Sequence, residues 1–150
     1  MDILSCWQML QVAQDALTAK IEQTLEEESL SAREWIMLRV LNTQTMDRGG
    51  HFKMKSLAER VALSPSATTR LVTRLEDRNL LKRYICPTDR RGIYTDVTEE
   101  GQALLARTSP KMEALFSELG FPTGADTTPE GYFAQLVTMA PPFGPTFCDD

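Results

Sequence analysis

The sequence predicts a mainly α fold with one small β-hairpin. Apolar residues recur at three- and four-residue intervals through most of the chain, which is the spacing of amphipathic helices. Two runs, residues 81–86 and 93–97, are typical of paired strands, and a turn-rich segment joins them. A length of 150 residues with 42% hydrophobic content suits one globular domain.

The first two helices are predicted from apolar periodicity and from a capping signal. An apolar stripe runs from Ile3 to about Glu27, and a first helix of this kind often packs on a later helix or on a second subunit. Ser31-Ala32-Arg33-Glu34 forms a capping box, which opens a second helix that ends near Asn42. The loop over residues 42–52 follows, and we assign its histidine no role.

Two short helices joined by a tight turn come next. Residues 53–55 are a candidate short strand, and a second capping box, Ser56-Leu57-Ala58-Glu59, is expected to open the first short helix. Ser64 then caps the second, with Pro65 at its first position. Its apolar stripe comprises Ala67, Leu71, Val72 and Leu75. Together these features predict a helix-turn-helix.

The polar face of this second helix carries short hydroxyls and arginines instead of the usual glutamates and lysines. Short hydroxyls allow a DNA backbone to approach closely, and arginine binds phosphates or the acceptor edge of guanine. Taken alone, such a face fits a solvated surface as well as it fits DNA contact. The residues expected to contact DNA here are Ser64, Ser66, Thr68, Thr69, Arg70, Thr73 and Arg74.

The predicted hairpin after the helix-turn-helix is interpreted as a wing. Its tip holds Asp89, Arg90 and Arg91. Arginine at such a tip can enter the DNA minor groove, and the aspartate can hold one arginine in place. The alternative is a solvated turn with a local ion pair, which the preceding helix-turn-helix makes the weaker interpretation.

Two more helices are predicted in the last third of the chain. Thr98 caps a helix that runs to about Leu119, and Pro110 should kink or interrupt it near Thr108. Thr128 caps a short, apolar helix that ends near residue 139. Residues 141–150 contain three prolines and are expected to form a loose tail.

Charge supports a polyanionic partner despite an overall net charge of −5. Residues 53–91 hold ten basic and four acidic side chains, a net charge of +6, between acidic ends. No run approaches a membrane span and no signal peptide is evident, so a cytoplasmic location is expected. The three cysteines, Cys6, Cys86 and Cys148, have no metal-binding or disulfide spacing.

An enzyme is the function class that the sequence favours least. The sequence has one histidine, no paired metal ligands and no phosphate-binding glycine loop. It therefore offers few residues that could form a hydrolytic or metal site. We therefore expect no cofactor, no metal and no catalytic residue.

The order of these elements resembles the MarR family of winged-helix transcription regulators. Residues 56–59 match the opening of that family's first short helix, and residues 75–83 match its passage into the wing. Asp89-Arg90-Arg91 and residues 97–101 match the wing and the following helix. Each match is weak alone, but their shared order is specific.

The resemblance implies one MarR-like domain over residues 1–150 that forms an obligate homodimer. Helices within 1–30 and 102–140 would dimerise, and residues 31–101 would form the winged helix-turn-helix. Two winged helices would bind a palindromic operator in double-stranded DNA, and a small molecule or oxidant would change their spacing. The predicted function is therefore a transcription regulator, acting as a repressor; the alternative is a winged helix used for protein contact without DNA.

Effector and redox residues are the least determined part of the prediction. Trp7, Leu10, Trp35 and Leu38 could line an effector pocket, although such residues more often form core. Cys6 lies on the first helix, where one branch of the family senses hydroperoxides with a cysteine supported by tyrosines. This chain has no tyrosine before Tyr84, so a bystander thiol is favoured.

Overall fold

A computed structural model describes residues 1–43, 52–85 and 92–140 of the chain. Several predicted features lie outside these residues: the loop histidine, the wing-tip residues Asp89, Arg90 and Arg91, the cysteines Cys86 and Cys148, and the tail over residues 141–150. In the described part, the predicted mainly α fold with one small antiparallel hairpin is confirmed.

The described elements follow the predicted order. The helices are α1 (Ile3–Thr24), α2 (Ala32–Asn42), α3 (Met54–Val61), α4 (Pro65–Asp77), α5 (Glu99–Glu118) and α6 (Pro129–Thr138). The strands are β1 (Leu81–Ile85) and β2 (Ile93–Val97), and short 3-10 turns cover Glu26–Glu28 and Gly124–Asp126. Two compact units emerge: Met1–Thr24 with the described residues from Pro110 onward, and Leu25–Ser109.

Four helices begin at the positions that the capping residues in the sequence predicted. Ser31 Oγ accepts a hydrogen bond from the Glu34 amide at 3.2 Å, and Glu34 Oε2 accepts one from the Ser31 amide at 2.8 Å. The hydroxyl oxygens of Ser64, Thr98 and Thr128 each accept a bond from the amide three residues later. These short-range bonds satisfy amides that a helix leaves unpaired, so α2, α4, α5 and α6 start at local sequence signals.

The start of α3 differs from the prediction. The helix begins at Met54, so Ser56 and Glu59 lie inside it and do not form a capping box at its start. Lys53 is extended and pairs with Tyr94 of β2 in an isolated antiparallel bridge, which is all that forms of the candidate strand over residues 53–55. The cap is therefore Lys53, three residues before the predicted cap Ser56, and this residue also takes part in a long-range backbone pairing.

Of the predicted kink or interruption of α5 near Pro110, the interruption is wrong, and the kink stays a prediction. The helix continues through Pro110, and Thr108 lies within it with its hydroxyl donating to the Leu104 carbonyl at 2.8 Å. Proline removes one helical hydrogen bond, but buried residues on both sides, including Leu105 and Met112, hold the helix by packing.

Each unit has its own apolar core. In the first, Ala13 and Leu17 of α1 pack with Phe121 and with Leu136 of α6. In the second, α2, α3, α4 and β1 contribute large apolar side chains that are almost fully buried, among them Leu38, Leu57, Val72, Leu75 and Leu81. No helix in the described ranges is long and apolar enough to cross a membrane.

Candidate nucleic-acid interface

Helix α4 presents the predicted polar face to solvent. Its inward stripe is Thr68, Leu71, Val72 and Leu75, all of which are buried. Its exposed side chains include Ser66, Thr69, Arg70, Thr73 and Arg74, and the capping residue Ser64 is also exposed. The helix therefore packs through one stripe and leaves hydroxyl and guanidinium groups on the opposite side.

Thr68 does not belong to the exposed face, contrary to the sequence-based assignment. Its side chain is fully buried, and its hydroxyl donates to the Ser64 carbonyl at 2.9 Å. The spacing of residue 68 from Leu71, Val72 and Leu75 is that of one helical face, and this signal could have identified it as inward-facing. We therefore remove Thr68 from the candidate DNA contacts.

The exposed threonines are partly occupied by the helix itself. Thr69 donates its hydroxyl hydrogen to the Pro65 carbonyl, and Thr73 donates to the Thr69 carbonyl, each at 3.0 Å. A threonine bonded to the carbonyl four residues earlier has a fixed hydroxyl, whose oxygen can still accept a hydrogen bond. These residues thus offer acceptors and methyl groups, at a short distance from the helix backbone.

Arg74 has a structural partner that the sequence did not reveal. Its Nη2 lies 3.0 Å from Oε1 of Glu34, whose side chain is only 1% exposed. The contact is an ion pair without hydrogen-bond geometry at Oε1. Because 67% of the Arg74 side chain remains exposed, the guanidinium can meet solvent or DNA while it balances the buried carboxylate.

Arg83 on β1 joins the hairpin to α4. It donates a hydrogen bond to the Thr73 hydroxyl, and its Nε lies 3.1 Å from Oε2 of Glu76. Nothing in the local sequence around Arg83 signals this contact, because its two partners lie seven and ten residues earlier on another element. The Thr73 hydroxyl therefore helps to hold the hairpin against α4.

The hairpin itself is anchored at one end and exposed at the other. Leu81 pairs with Val97 at the buried end, whereas Ile85 pairs with Ile93 and both are more than half exposed. The chain between Ile85 and Ile93 would carry the wing-tip residues Asp89, Arg90 and Arg91, which lie outside the described ranges.

Two further arginines in this unit serve the fold. Arg78, which follows α4, donates to the carbonyls of Ser29 and Glu28 at 2.9 and 2.7 Å. Arg107 of α5 makes two hydrogen bonds to the Glu28 carboxylate, and these bonds raise the pKa of Arg107 above its usual value. Basic composition alone therefore overstates the charge available to a ligand.

The four candidate effector residues fall in different environments. Trp35 and Leu38 are buried in the core of the Leu25–Ser109 unit, and Trp35 Nε1 donates to the Thr108 hydroxyl at 2.9 Å. In the other unit, Trp7 is 62% exposed and Leu10 is partly buried. Their packing favours a core role for Trp35 and Leu38.

The described residues hold one free thiol and no cluster of metal ligands. Cys6 is a partly buried free thiol on α1. Within residues 1–43, 52–85 and 92–140, no group of three or more histidine, cysteine, aspartate or glutamate side chains could hold a metal ion.

Comparison with known proteins agrees with the geometry of the helix-turn-helix and the hairpin that follows it. Residues 30–93 match the model of the MarR family. The chain is 31% identical over 96 residues to the HTH-type transcriptional repressor MdtR of Bacillus subtilis, an alignment that covers 61% of this chain and 59% of MdtR.

Solved structures are similar in fold. Sco3205 of Streptomyces coelicolor, a MarR family transcriptional regulator solved in complex with DNA, has a TM-score of 0.71 at 23% identity, covering 87% of this chain and 79% of its own. BpsR of Bordetella bronchiseptica, whose DNA binding is regulated by 6-hydroxynicotinic acid, has a TM-score of 0.66 at 23% identity, covering 88% of both chains.

Proposed function

Because this chain belongs to the MarR family through its residues 30–93, we propose that it is a homodimeric, sequence-specific DNA-binding transcription regulator that acts as a repressor. The observation that carries the proposal is the solvent face of α4. Arg70 and Arg74 stand there among short hydroxyls, and the first acidic residue of the helix is Glu76. Such a face can enter the major groove, where arginine recognises guanine and phosphate.

Ser64, Ser66, Thr69, Arg70, Thr73 and Arg74 are the proposed DNA contacts on and before α4. The wing tip, with Asp89, Arg90 and Arg91, is proposed to reach the adjacent minor groove. Support for this second contact comes from the described strand ends Ile85 and Ile93, which pair with each other and are both more than half exposed.

Exposed apolar side chains support the homodimer. In the unit that contains α1 and α6, the solvent-exposed large apolar residues include Ile3, Leu4, Trp7, Phe133 and Val137. Apolar groups that gather on a surface are typical of sites covered by a partner, and a second copy would cover them symmetrically. Such a dimer would place two α4 helices on half-sites about 10 base pairs apart.

Release from DNA by a small molecule or an oxidant is the least supported part of the proposal. Its support is the likeness to BpsR, whose DNA binding responds to a small aromatic acid. An effector that used Trp35 or Leu38 would have to open a packed core. An oxidant would have to reach Cys6, which is partly buried.

The test is duplex binding as a function of salt concentration. A tight-binding duplex is first selected from a random pool, and fluorescence anisotropy then gives its affinity and that of an unrelated duplex. We expect salt-dependent binding to both duplexes, and tighter binding to the selected one. The mass of the complex should correspond to two chains bound to one duplex. Arg70→Ala should weaken binding to the selected duplex by about 5- to 150-fold, the equivalent of roughly 1–3 kcal/mol.

Two results would contradict the proposal. Failure to bind any duplex at low salt would favour the alternative, a winged helix that contacts proteins and does not bind DNA. A protein that stays monomeric at micromolar concentration would lack the symmetry that a palindromic operator requires.

A further inference from the structure

A basic groove lies beside α4, between its first half and the start of α2. Its volume is about 430 Å³. The residues that line it are Ser31, Arg33, Leu63, Ala67, Arg70, Leu71 and Arg74. Three guanidinium-bearing side chains from two helices therefore meet around one concavity, and only two of them lie on α4.

Of the three arginines that line the groove, Arg33 is the one that neither periodicity nor motif matching identified as a DNA contact. It lies in the first turn of α2 and is exposed, and its Nη1 donates to the Val61 carbonyl at 2.9 Å. Val61 is the last residue of α3, so this bond holds the Arg33 side chain against the helix-turn-helix. A guanidinium has five donor hydrogens, and one bond to a carbonyl leaves others for a ligand.

The groove carries positive charge after its internal partner is counted. The Glu34 carboxylate beside it is offset by Arg74, at 3.0 Å. Among the described residues, no ion pair joins Arg33 or Arg70 to a carboxylate. Two of the three guanidinium charges at the groove are thus without a counterion from the described part of the chain.

We propose that this groove binds one phosphate group of the DNA backbone, with Arg33 as the contact from α2. The inference rests on the proposed DNA-binding function and extends it to a residue outside the helix-turn-helix. A helix seated in the major groove has a phosphate backbone along each side, and a basic group beside the helix reaches that backbone. Arg33 and Arg70 would bind the phosphate oxygens, while Arg74 balances the Glu34 carboxylate beside the groove.

Arginine held in place before binding suits this role. Its planar fork matches the geometry of phosphate oxygens and forms charge-assisted hydrogen bonds. The bond to the Val61 carbonyl already restricts the Arg33 side chain, so less rotational freedom is lost when the phosphate binds. A contact of this kind fixes the position of the protein on the duplex and adds affinity for every sequence.

The experiment compares Arg33→Gln with Arg39→Gln in the full chain. Both residues are exposed arginines on α2, but Arg39 lies over the Trp35 ring at 5.5 Å and does not line the groove. Arg33→Gln should reduce the slope of log affinity against log salt by up to about 0.9 for each bound protomer, on both the selected and the unrelated duplex, because about 0.9 is the full contribution of one phosphate and Arg70 stays in place. Arg39→Gln should leave that slope unchanged.

Loss of the Val61 bond could loosen the fold, so Arg33→Lys provides a second variant. It keeps the charge and removes the planar fork, and we expect it to keep the salt slope while it weakens binding. An equal loss of slope in both Arg33 variants would mean that the effect comes from loosened packing, and it would overturn the proposal.

Single methylphosphonate substitutions along the selected duplex locate the phosphate. Wild-type protein should lose affinity when one particular phosphate in each half-site is neutralised, and Arg33→Gln should lose less from that same change, because only Arg70 still binds the phosphate. An unchanged salt slope in Arg33→Gln, with wild-type protein still binding duplex DNA, overturns the groove assignment and leaves the regulator function standing. Failure of the wild-type protein to bind any duplex overturns the function itself.

Discussion

Arg70 and Arg74 are one turn apart on α4, but their removal should have different consequences. Both are exposed arginines on the proposed DNA face, so Arg70→Gln and Arg74→Gln delete the same charge. Only Arg74 lies 3.0 Å from the buried carboxylate of Glu34. We therefore expect Arg74→Gln to lower both stability and DNA affinity, and Arg70→Gln to lower DNA affinity alone.

The size of the stability loss follows from the two exposures. Glu34 is 1% exposed and, among the described residues, its carboxylate would keep the bond from the Ser31 amide at 2.8 Å. Breaking a fully buried pair costs about 3–5 kcal/mol. Because the Arg74 side chain is 67% exposed, solvent screens this pair, and we expect about 1–2 kcal/mol instead.

Thermal unfolding measures the difference. For a chain of this length roughly 2–4 °C accompanies each kcal/mol, so Arg74→Gln should lower Tm by about 2–8 °C. Arg70→Gln should stay within about 0.5 kcal/mol of wild type. Circular dichroism melts are compared at one protomer concentration, because association makes Tm depend on concentration.

A double variant decides whether the carboxylate causes the loss. Glu34→Gln removes the buried charge, so Arg74→Gln should cost less in the Glu34→Gln background than in wild type. Two results would mean that the Glu34 ion pair does not stabilise the fold. One is that Arg74→Gln and Arg70→Gln have the same Tm. The other is that Arg74→Gln lowers stability equally in the wild-type and Glu34→Gln backgrounds.

Two further predictions concern the stability of the fold, one in each unit. Gly101→Ala should destabilise by roughly 1–3 kcal/mol in urea unfolding, because the added Cβ would lie 2.3 Å from the Leu80 carbonyl oxygen; an unchanged midpoint would mean that α5 can shift without cost. Burial raises the pKa of the Tyr132 phenol above its usual value of about 10. The folded state therefore favours the neutral phenol, and the resulting stability is present below pH 10 and lost as pH rises through the raised pKa. When the pH is raised from 9 to 11, the urea midpoint should fall less for Tyr132→Phe than for wild type. Equal falls in the two proteins would contradict this.

The sequence by itself determined the elements and most of the helix starts. Ser31, Ser64, Thr98 and Thr128 cap helices through bonds to amides three residues away, and such contacts depend only on neighbouring residues. The apolar spacing of α4 likewise separated a packed stripe from a polar face. Local chemistry therefore predicted the helix-turn-helix and the hairpin after it.

Only the tertiary structure decided how individual side chains are used. Arg74 meets Glu34 forty residues earlier in the chain, and Arg33 meets the Val61 carbonyl twenty-eight residues later. Lys53, just before α3, likewise pairs with the distant Tyr94. Such contacts join elements that are distant in sequence, and their geometry depends on how the whole unit packs, so no local pattern of residues encodes them.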